Sequence, residues 1–406
     1  MNSVRTLLSL SCAFILTTAS AQDYSSFTSQ VNELVRACVS PDDATRQTQI
    51  DAAWNKLRST NELPLVANDS VAFFYQGDAR TVEWTGDFNQ WNYDTTFPNK
   101  GKRIGFSNIW LLKAAFPRDA RLDYKILING TQWLLDPENK HQQWSGVGGG
   151  SVNSELRMPQ WKPDDLLRAN NSIARGTVSS DHIFFSKKLG YQISYDVYLP
   201  ANHQPGEKLP VVYVTDGYEY RHQNMGNMVT VLDNLIGAKK IKPIAAVFID
   251  HRDPVNRTNN RRMEELAMNA KYLSLFTDEF IPLVESNYPI AAGSANRAIL
   301  GNSMGGLNSA YFVFSRPDVF SMAGIQSPAF YTRPQIYQLC EQTDGTPIKI
   351  SMTSGTIYDT SAGSRKMKDV LESISCKYTY REVNEGHSWG NWRNLIDDIL
   401  IDFFGI

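Results

Sequence analysis

Ser303 lies in the segment Gly301-Asn302-Ser303-Met304-Gly305, between a short apolar run and a helical pattern. The flanking glycines permit a sharp strand-to-helix turn, which lifts a serine hydroxyl clear of a sheet. A serine presented in this way is a nucleophile for acyl transfer when a neighbouring base takes its proton. The amide of Met304 then faces the same space and is expected to donate a hydrogen bond to a developing oxyanion.

His387 is the expected base, because it is the only histidine after Ser303. It follows a strand-like stretch and precedes an amphipathic helix expected over residues 391–404, which is typical of a loop at the end of a strand. The order serine, acid, histidine is one of the known chain orders of a catalytic triad. His387 is therefore predicted to deprotonate Ser303.

Four aspartates lie between Ser303 and His387 and are candidates for the acid. Asp359 is preferred, because it comes just after an apolar strand pattern and would emerge at the same sheet edge as the other two groups. Asp318 belongs to a turn after a helix, Asp369 falls inside a charged helix, and Asp344 is the remaining alternative.

A second oxyanion donor is expected in the loop Thr215-Asp216-Gly217-Tyr218, which follows the apolar strand at residues 209–214. Gly217 allows a tight backbone path, and the amide of Tyr218 would face the oxyanion. Asp216 is expected to pin this loop or to contact substrate. Trp389 and Trp392, beside the predicted base, would line an aromatic pocket or pack the last helix.

The second half of the chain alternates apolar strands with helical stripes, which predicts an α/β fold with a mostly parallel sheet buried on both faces. The carboxyl ends of parallel strands meet at one edge, where the predicted catalytic groups would come together. Strands are expected near residues 211–214, 244–249, 298–300, 322–326, 348–353 and 378–383.

Several collinear motifs in residues 175–406 resemble the enterochelin esterase and esterase D group of alpha/beta hydrolases, which includes feruloyl and acetylxylan esterases and mycolyl transferases. The matching segments are Tyr198-Leu199-Pro200, Tyr213-Val214-Thr215-Asp216-Gly217, Phe276-Thr277-Asp278-Glu279-Phe280-Ile281-Pro282, Gly301-Asn302-Ser303-Met304-Gly305-Gly306, Pro317-Asp318-Val319-Phe320, Gln326-Ser327-Pro328 and Gly386-His387-Ser388-Trp389. The resemblance implies Ser303, His387 and Asp359 as the triad, with Tyr218 and Met304 as the oxyanion hole. Ser388 departs from it, because many relatives carry an aspartate after the histidine.

Short alternating strands and turns precede this region and predict a small immunoglobulin-like β-sandwich over residues 65–160. Segments such as Gly86-Asp87-Phe88-Asn89-Gln90-Trp91 resemble the early-set domains that bind glycogen-like glucans. The resemblance implies sugar contacts from Trp91, Lys125, Trp133 and Asn153. Packing on the catalytic domain as a wall of the substrate cleft is the alternative.

The first 21 residues carry Arg5, an apolar core and the small-residue segment Ala19-Ser20-Ala21, which predicts a secretory signal peptide cleaved after Ala21. We expect a secreted or periplasmic protein with no stable membrane anchor. Residues 22–64 are predicted to form a helical segment, and residues 175–406 the catalytic domain.

The composition and the residue spacing argue against nucleic-acid or membrane partners and against a bound metal or cofactor. With 40 basic and 42 acidic residues, the net charge of −2 favours neither nucleic acid nor an anionic membrane. Arg257, Arg261 and Arg262 form a short basic cluster, either a solvated loop or a contact for an anionic substrate. No Cys/His set has metal-ligand spacing, and no metal or cofactor is expected. Cys340 and Cys376 are considered as a disulfide pair.

The sequence thus predicts an exported serine ester hydrolase that acts through an acyl-enzyme on a small-molecule or polysaccharide-linked ester. Siderophore, feruloyl and acetyl esters are not separated by the sequence. An acyltransferase to a sugar or lipid hydroxyl would use the same triad. A non-catalytic glucan-binding protein is the third alternative.

Overall fold

Seventeen strands and twelve α-helices make up the described part of the computed structural model, which comprises residues 24–145, 151–201, 203–204, 206–343 and 345–406. The expected signal peptide, Asp344 and the glycine-rich stretch at 146–150 lie outside these residues. The strands are β1 Leu65–Ala67, β2 Ser70–Gln76, β3 Val82–Gly86, β4 Lys102–Arg103, β5 Ile109–Ala115, β6 Arg121–Ile128, β7 Gln132–Leu134, β8 Gln142–Ser145, β9 Ser151–Arg157, β10 Thr177–Ser186, β11 Tyr191–Leu199, β12 Val211–Val214, β13 Ala245–Asp250, β14 Arg297–Asn302, β15 Met322–Gln326, β16 Lys349–Gly355 and β17 Lys377–Val383. The helices are α1 Tyr24–Cys38, α2 Arg46–Thr60, α3 Gly217–Arg221, α4 Met228–Gly237, α5 Arg262–Glu265, α6 Ala270–Leu275, α7 Ile281–Asn287, α8 Met304–Ser315, α9 Gln335–Glu341, α10 Ser361–Ser373, α11 Trp389–Arg393 and α12 Ile396–Phe404.

The largest sheet has eight strands in the order β10-β11-β13-β12-β14-β15-β16-β17. From β13 to β17 neighbouring strands are parallel, whereas β10 and β11 are antiparallel additions at one edge. Alternate residues of β12 enter the two apolar clusters on opposite faces of the sheet, Val211 and Tyr213 on one side and Val212 and Val214 on the other. The expected mostly parallel, doubly covered sheet is confirmed, and it brings the ends of β12, β14, β16 and β17 to one edge.

Helices cover both faces of this sheet. One face carries α6 to α10, where a π-helical turn over Phe276–Phe280 joins α6 to α7 and buries Phe276 and Phe280. The other face carries α4 and α12. The sequence predicted one helix over residues 391–404, but the chain forms α11 and α12 separately. The side-chain amide of Asn394 donates to the carbonyl of Gly390 at 2.5 Å and so closes α11.

Two antiparallel sheets precede the parallel one and form a sandwich, by which we mean strands β1 to β9. Their orders are β1-β2-β5-β4 and β3-β6-β9-β8, with β7 paired to β6. Phe73 and Trp84 come from opposite sheets and share one buried core, with ring centroids 6.0 Å apart. The β-rich region expected from the alternating pattern is confirmed.

The helices α1 and α2 cover the outer face of the first sheet. Trp54 of α2 meets Phe74 of β2 edge to face at 6.0 Å, in a cluster that also buries Leu34 of α1. The apolar residues that recur at helical spacing in residues 22–64 therefore pack against the first sheet. Within the described ranges, no helix is long and apolar enough to cross a bilayer. Cys38, Cys340 and Cys376 are free thiols, so the disulfide considered from the sequence is not formed.

Candidate active site

Ser303 lies at the turn between β14 and α8 with a strained backbone, φ 54° and ψ −114°. Its N–H donates to the carbonyl of Gln326 at 2.8 Å, and its carbonyl accepts from Ala329 at 2.9 Å. The neighbouring glycines are required by close approach, because a Cβ on Gly301 would lie 2.3 Å from Oγ1 of Thr215. A strained conformation that the surroundings fix in this way is frequent at functional sites.

His387 follows β17 and points its imidazole at the serine. Its Nε2 lies 3.0 Å from Oγ of Ser303, and its Nδ1 lies 2.6 Å from Oδ1 of Asp359. Trp392 packs edge to face against the imidazole, with ring centroids 4.9 Å apart. Three side chains from the ends of β14, β16 and β17 thus form one hydrogen-bonded chain.

Asp359 is the aspartate that reaches the imidazole, and its side chain is fully buried. Its Oδ2 accepts hydrogen bonds from Oγ of Ser327 and from the amide of Gly355, both at 2.6 Å, with Nδ2 of Asn391 at 3.4 Å. Asp318 is instead bound to Arg316 at 2.7 Å. Asp369 lies inside α10 and forms an ion pair with Lys368.

Ser327 and Asn391 were not identified from the sequence as partners of the aspartate. Nε1 of Trp392 donates to Oγ of Ser327 at 2.9 Å, which leaves the hydroxyl hydrogen for Asp359. Ser327 was part of the motif Gln326-Ser327-Pro328, so the resemblance marked its position but not its contact.

Tyr218 and Met304 occupy the first turns of α3 and α8, where backbone amides lack an acceptor inside the helix. Among the described residues, neither amide has a backbone hydrogen-bond partner. Tyr218 is 36% exposed, and the guanidinium of Arg252 lies 3.8 Å from the centroid of its ring. Both amides are thus free to donate to a ligand.

Asp216 is engaged by Arg262, which donates to its two carboxylate oxygens at 2.6 and 2.8 Å. The same Arg262 donates to the carbonyl of Asn302 at 3.2 Å, so it connects the Tyr218 loop to the turn that carries Ser303. The amide of Asp216 donates to Nε2 of His251 at 3.2 Å. The Asp216–Arg262 pair therefore fixes the loop that carries Tyr218, and both side chains are buried.

His251 is a further buried residue that the sequence analysis missed. Its Nδ1 lies 2.5 Å from Oε2 of Glu265. Burial opposes the charged form of His251, but the contact with Glu265 outweighs it and raises the pKa of His251. Arg261 forms an ion pair with Asp253 in the loop after β13, and Arg257 forms one with Asp250, the last residue of β13.

Trp389 is buried, and its Nε1 donates to Oε2 of Glu219 at 2.8 Å. It packs edge to face on Tyr220 at 4.9 Å and on Trp392 at 5.3 Å. Both tryptophans belong to the apolar cluster that contains Ile396 and Ile399 of α12, which fits the packing of the last helix that was one of the two interpretations from the sequence.

The four residues predicted to contact sugar differ in how exposed they are. Trp91 and Trp133 are neighbours, with ring centroids 6.5 Å apart and ring planes inclined by 36°, and Trp133 is 47% exposed. Lys125 is half-buried in β6, whereas Asn153 is buried and donates to Asp123 at 3.1 Å and Ser145 at 2.7 Å. The two tryptophans form a surface platform, and Asn153 belongs to the interior of the sandwich.

No group of three or more His, Cys, Asp or Glu side chains among the described residues is arranged to hold a metal ion.

The sequence model of the Esterase family matches residues 186–403, which is more than half of the chain. The curated Bacillus subtilis protein YjcH, which has no described function, is 26% identical over 237 residues, covering 55% of this chain and 96% of that protein. An endo-1,4-beta-xylanase/feruloyl esterase of Xylanibacter ruminicola is 24% identical over 310 residues, covering 73% of this chain and 40% of that protein.

Two solved structures share the fold. The ferric enterobactin esterase of Salmonella typhimurium has a TM-score of 0.71 at 17% identity and covers 87% of this chain and 98% of its own. The enterobactin esterase of Shigella flexneri, crystallised in the presence of enterobactin, has a TM-score of 0.66 at 20% identity and covers 82% and 92%. Both coverages extend beyond the family match into the sandwich.

Proposed function

We propose that this chain, which belongs to the Esterase family and is a carboxylic-ester hydrolase, cleaves its substrate with Ser303 as nucleophile, His387 as base and Asp359 as acid. The observation that carries the proposal is one imidazole that lies 3.0 Å from the Ser303 hydroxyl and 2.6 Å from the Asp359 carboxylate. This is hydrogen-bond distance on both sides, as proton transfer requires.

The reaction proceeds through an acyl-enzyme. Nε2 of His387 takes the hydroxyl proton as Oγ of Ser303 attacks the ester carbonyl, and the amides of Tyr218 and Met304 bind the resulting oxyanion. The tetrahedral intermediate expels the alcohol, which leaves with the proton from His387. Water then attacks the acyl carbonyl as Nε2 of His387 takes its proton. The second tetrahedral intermediate breaks the bond to Oγ of Ser303, which regains the proton from His387 as the carboxylic acid leaves.

Asp359 acts by orientation and charge. Its buried carboxylate accepts the Nδ1–H of His387, which leaves Nε2 unprotonated toward Ser303. The donors Ser327 and Gly355 hold the other carboxylate oxygen in place. The imidazolium formed during attack therefore faces a fixed negative charge.

The substrate is a small-molecule or polysaccharide-linked ester. The experiment that tests the proposal compares hydrolysis of acetyl, feruloyl and dihydroxybenzoyl-serine esters by the wild-type protein and by Ser303→Ala. Wild type is expected to release acid from at least one of them and Ser303→Ala to lose at least a thousandfold in rate. Equal turnover by both forms would exclude the serine mechanism. Transfer of the acyl group to an added sugar or lipid alcohol, with slow release to water, would favour the transferase alternative.

The tryptophan platform gives the sandwich a second candidate function, as a stacking surface for a sugar ring or an aromatic ring. Trp91 and Trp133 are both accessible, and sugar rings and aromatic acids stack on such faces. Affinity electrophoresis in soluble glucan, with Trp133→Ala as the control, tests sugar binding of an early-set type. Unchanged mobility of the wild-type protein in every glucan would leave the sandwich as a wall of the catalytic site.

We further propose that the chain is exported and is divided into a helical segment at 22–64, a sandwich domain at 65–160 and a catalytic domain at 175–406. The apolar segment ending in Ala19-Ser20-Ala21 supports export. Amino-terminal sequencing of the protein recovered outside the cytoplasm is expected to begin at Gln22. A protein retained inside the cell with residues 1–21 intact would contradict it.

A further inference from the structure

The segment that presents His387 runs from Asn384 to Gly390, including the first two residues of α11, and is called here the histidine loop. Arg121, the first residue of β6 in the sandwich, contacts it on both sides of His387. Nη1 of Arg121 donates to Oγ of Ser388 at 3.0 Å, and the backbone N–H of Arg121 donates to the carbonyl of Asn384 at 3.3 Å. The Arg121 side chain has no exposed surface. A sandwich residue therefore grips the loop directly beside the base.

The contact leaves no spare room. A Cβ on Gly390 would lie 1.8 Å from Cζ of Arg121, and a Cβ on Gly386 would lie 2.3 Å from Cγ of Asp87. Asp87 directly follows β3 of the sandwich. The histidine loop thus bears hydrogen atoms, and no side chains, at the two points where the sandwich presses against it.

Arg121 is itself fixed by the carboxylates around it. It donates to Asp123 and, at 2.8 Å, to Glu155, and it lies 4.0 Å from Glu385 of the histidine loop. Indole Nε1 of Trp161 holds the other oxygen of Glu385 at 3.0 Å. A guanidinium with this many fixed acceptors has one orientation, and its bond to Ser388 has a defined direction.

The loop that carries Asp359 also touches the sandwich. The hydroxyl of Tyr358 donates to Asp94, and Ile357 packs against the sandwich core. Ser303, by contrast, is held by Gln326 and Ala329 of the parallel-sheet domain. The sandwich therefore contacts the two loops that bear the base and the acid.

We propose that Arg121 is a positioning residue for His387, which it holds in line with Ser303 and Asp359 through Ser388 and the backbone of the histidine loop. The sandwich is then part of the catalytic unit rather than an appended module. This inference rests on the proposed triad mechanism. The His387 side chain is 37% exposed and extends from the histidine loop, so a shift of the loop would move the imidazole relative to Ser303 and Asp359. A displacement of about 1 Å in such a group can cost about a hundredfold in rate.

Ser388→Ala is the decisive variant. It removes the hydroxyl of the histidine loop that accepts from the Arg121 side chain, and it leaves Arg121 and its carboxylate partners in place. We expect kcat on p-nitrophenyl acetate to fall at least tenfold, with KM within twofold of wild type and an unchanged melting temperature within a few degrees. Ser388→Thr keeps the hydroxyl and is expected to restore most of the activity. Arg121→Lys keeps the charge but loses the planar fork, and a loss at least as large as that of Ser388→Ala is expected.

Arg157→Gln is the matched control. Arg157 donates to Glu155 of the same charge cluster at 2.9 Å and makes no hydrogen bond to the histidine loop among the described residues. Its kcat is expected to stay within twofold of wild type. The proton NMR resonance of the Nδ1–H of His387, shifted downfield by its bond to Asp359, reports the position of the imidazole directly. It is expected in wild type and Arg157→Gln and to be broadened or lost in Ser388→Ala.

Folded Ser388→Ala protein with the kcat and the downfield resonance of Arg157→Gln would overturn the inference. So would a raised KM with unchanged kcat, since that result describes a substrate contact. If Arg121→Lys fails to fold, Ser388→Ala decides alone. Failure of the triad itself is distinguishable, because Ser303→Ala would then hydrolyse esters as fast as wild type.

Discussion

Replacing Asp359 by asparagine tests whether the buried carboxylate of the candidate site acts as the acid of the triad. The carboxylate accepts the Nδ1–H of His387 at 2.6 Å and has no exposed surface. An amide in its place either turns its NH2 toward Nδ1 or leaves the imidazole without a charged partner. The tautomer with Nδ1 unprotonated then becomes favoured, and Nε2 carries the proton toward Ser303 where it should accept one.

The expected loss is about 10⁴-fold in kcat, the size found when the triad acid of a serine protease is replaced by asparagine. At about 1.4 kcal/mol per tenfold change, this corresponds to about 5 to 6 kcal/mol of transition-state stabilisation. Ser327→Ala removes one of the donors to the same carboxylate and is expected to lose less, about tenfold, because Gly355 still donates.

The assay is steady-state hydrolysis of p-nitrophenyl acetate with the concentration of active sites titrated by an organophosphonate. Asp318→Asn is the matched control, because Asp318 is exposed and pairs with Arg316. It is expected to keep wild-type kcat. Asp359→Asn activity within tenfold of wild type, or an equal loss in Asp318→Asn, would refute the assignment of the acid.

Two further predictions concern the loop that carries Tyr218 and the contact between Asp87 and the histidine loop. Arg262→Lys keeps the charge but loses the bidentate grip on Asp216, and we expect kcat to fall about 10- to 100-fold with KM unchanged; a raised KM at constant kcat would instead identify Arg262 as a contact for an anionic substrate. Burial and the neighbouring Asp123 raise the pKa of Asp87 to about 8, above the ordinary value of 3.8. Because the folded state binds this proton more tightly than the unfolded state, the contribution of Asp87 to stability is full below pH 4 and is lost as the pH rises to about 8. Asp87→Asn is therefore expected to flatten the fall in urea unfolding free energy between pH 5 and 8, and an unchanged pH slope would contradict this.

The sequence determined the local features of this protein. Spacing of apolar residues gave the parallel strands, and the glycines around Ser303 marked the turn at the end of β14. These inferences succeed because backbone period and steric limits are properties of neighbours in the chain. His387 was predicted as the base by elimination, since no other histidine lies after Ser303.

Contacts between distant segments were decided by the tertiary structure. Arg121 and Ser388 are separated by 267 positions, and nothing near either residue in the chain indicates the other. The contacts of Arg262 with Asp216 and of Ser327 with Asp359 were missed for the same reason. A basic or hydroxyl side chain in a polar loop has the same local sequence pattern whether it faces solvent or a buried carboxylate. A local pattern specifies which face of an element is buried, but the choice of partner between the sandwich and the parallel sheet is made only when the elements pack together.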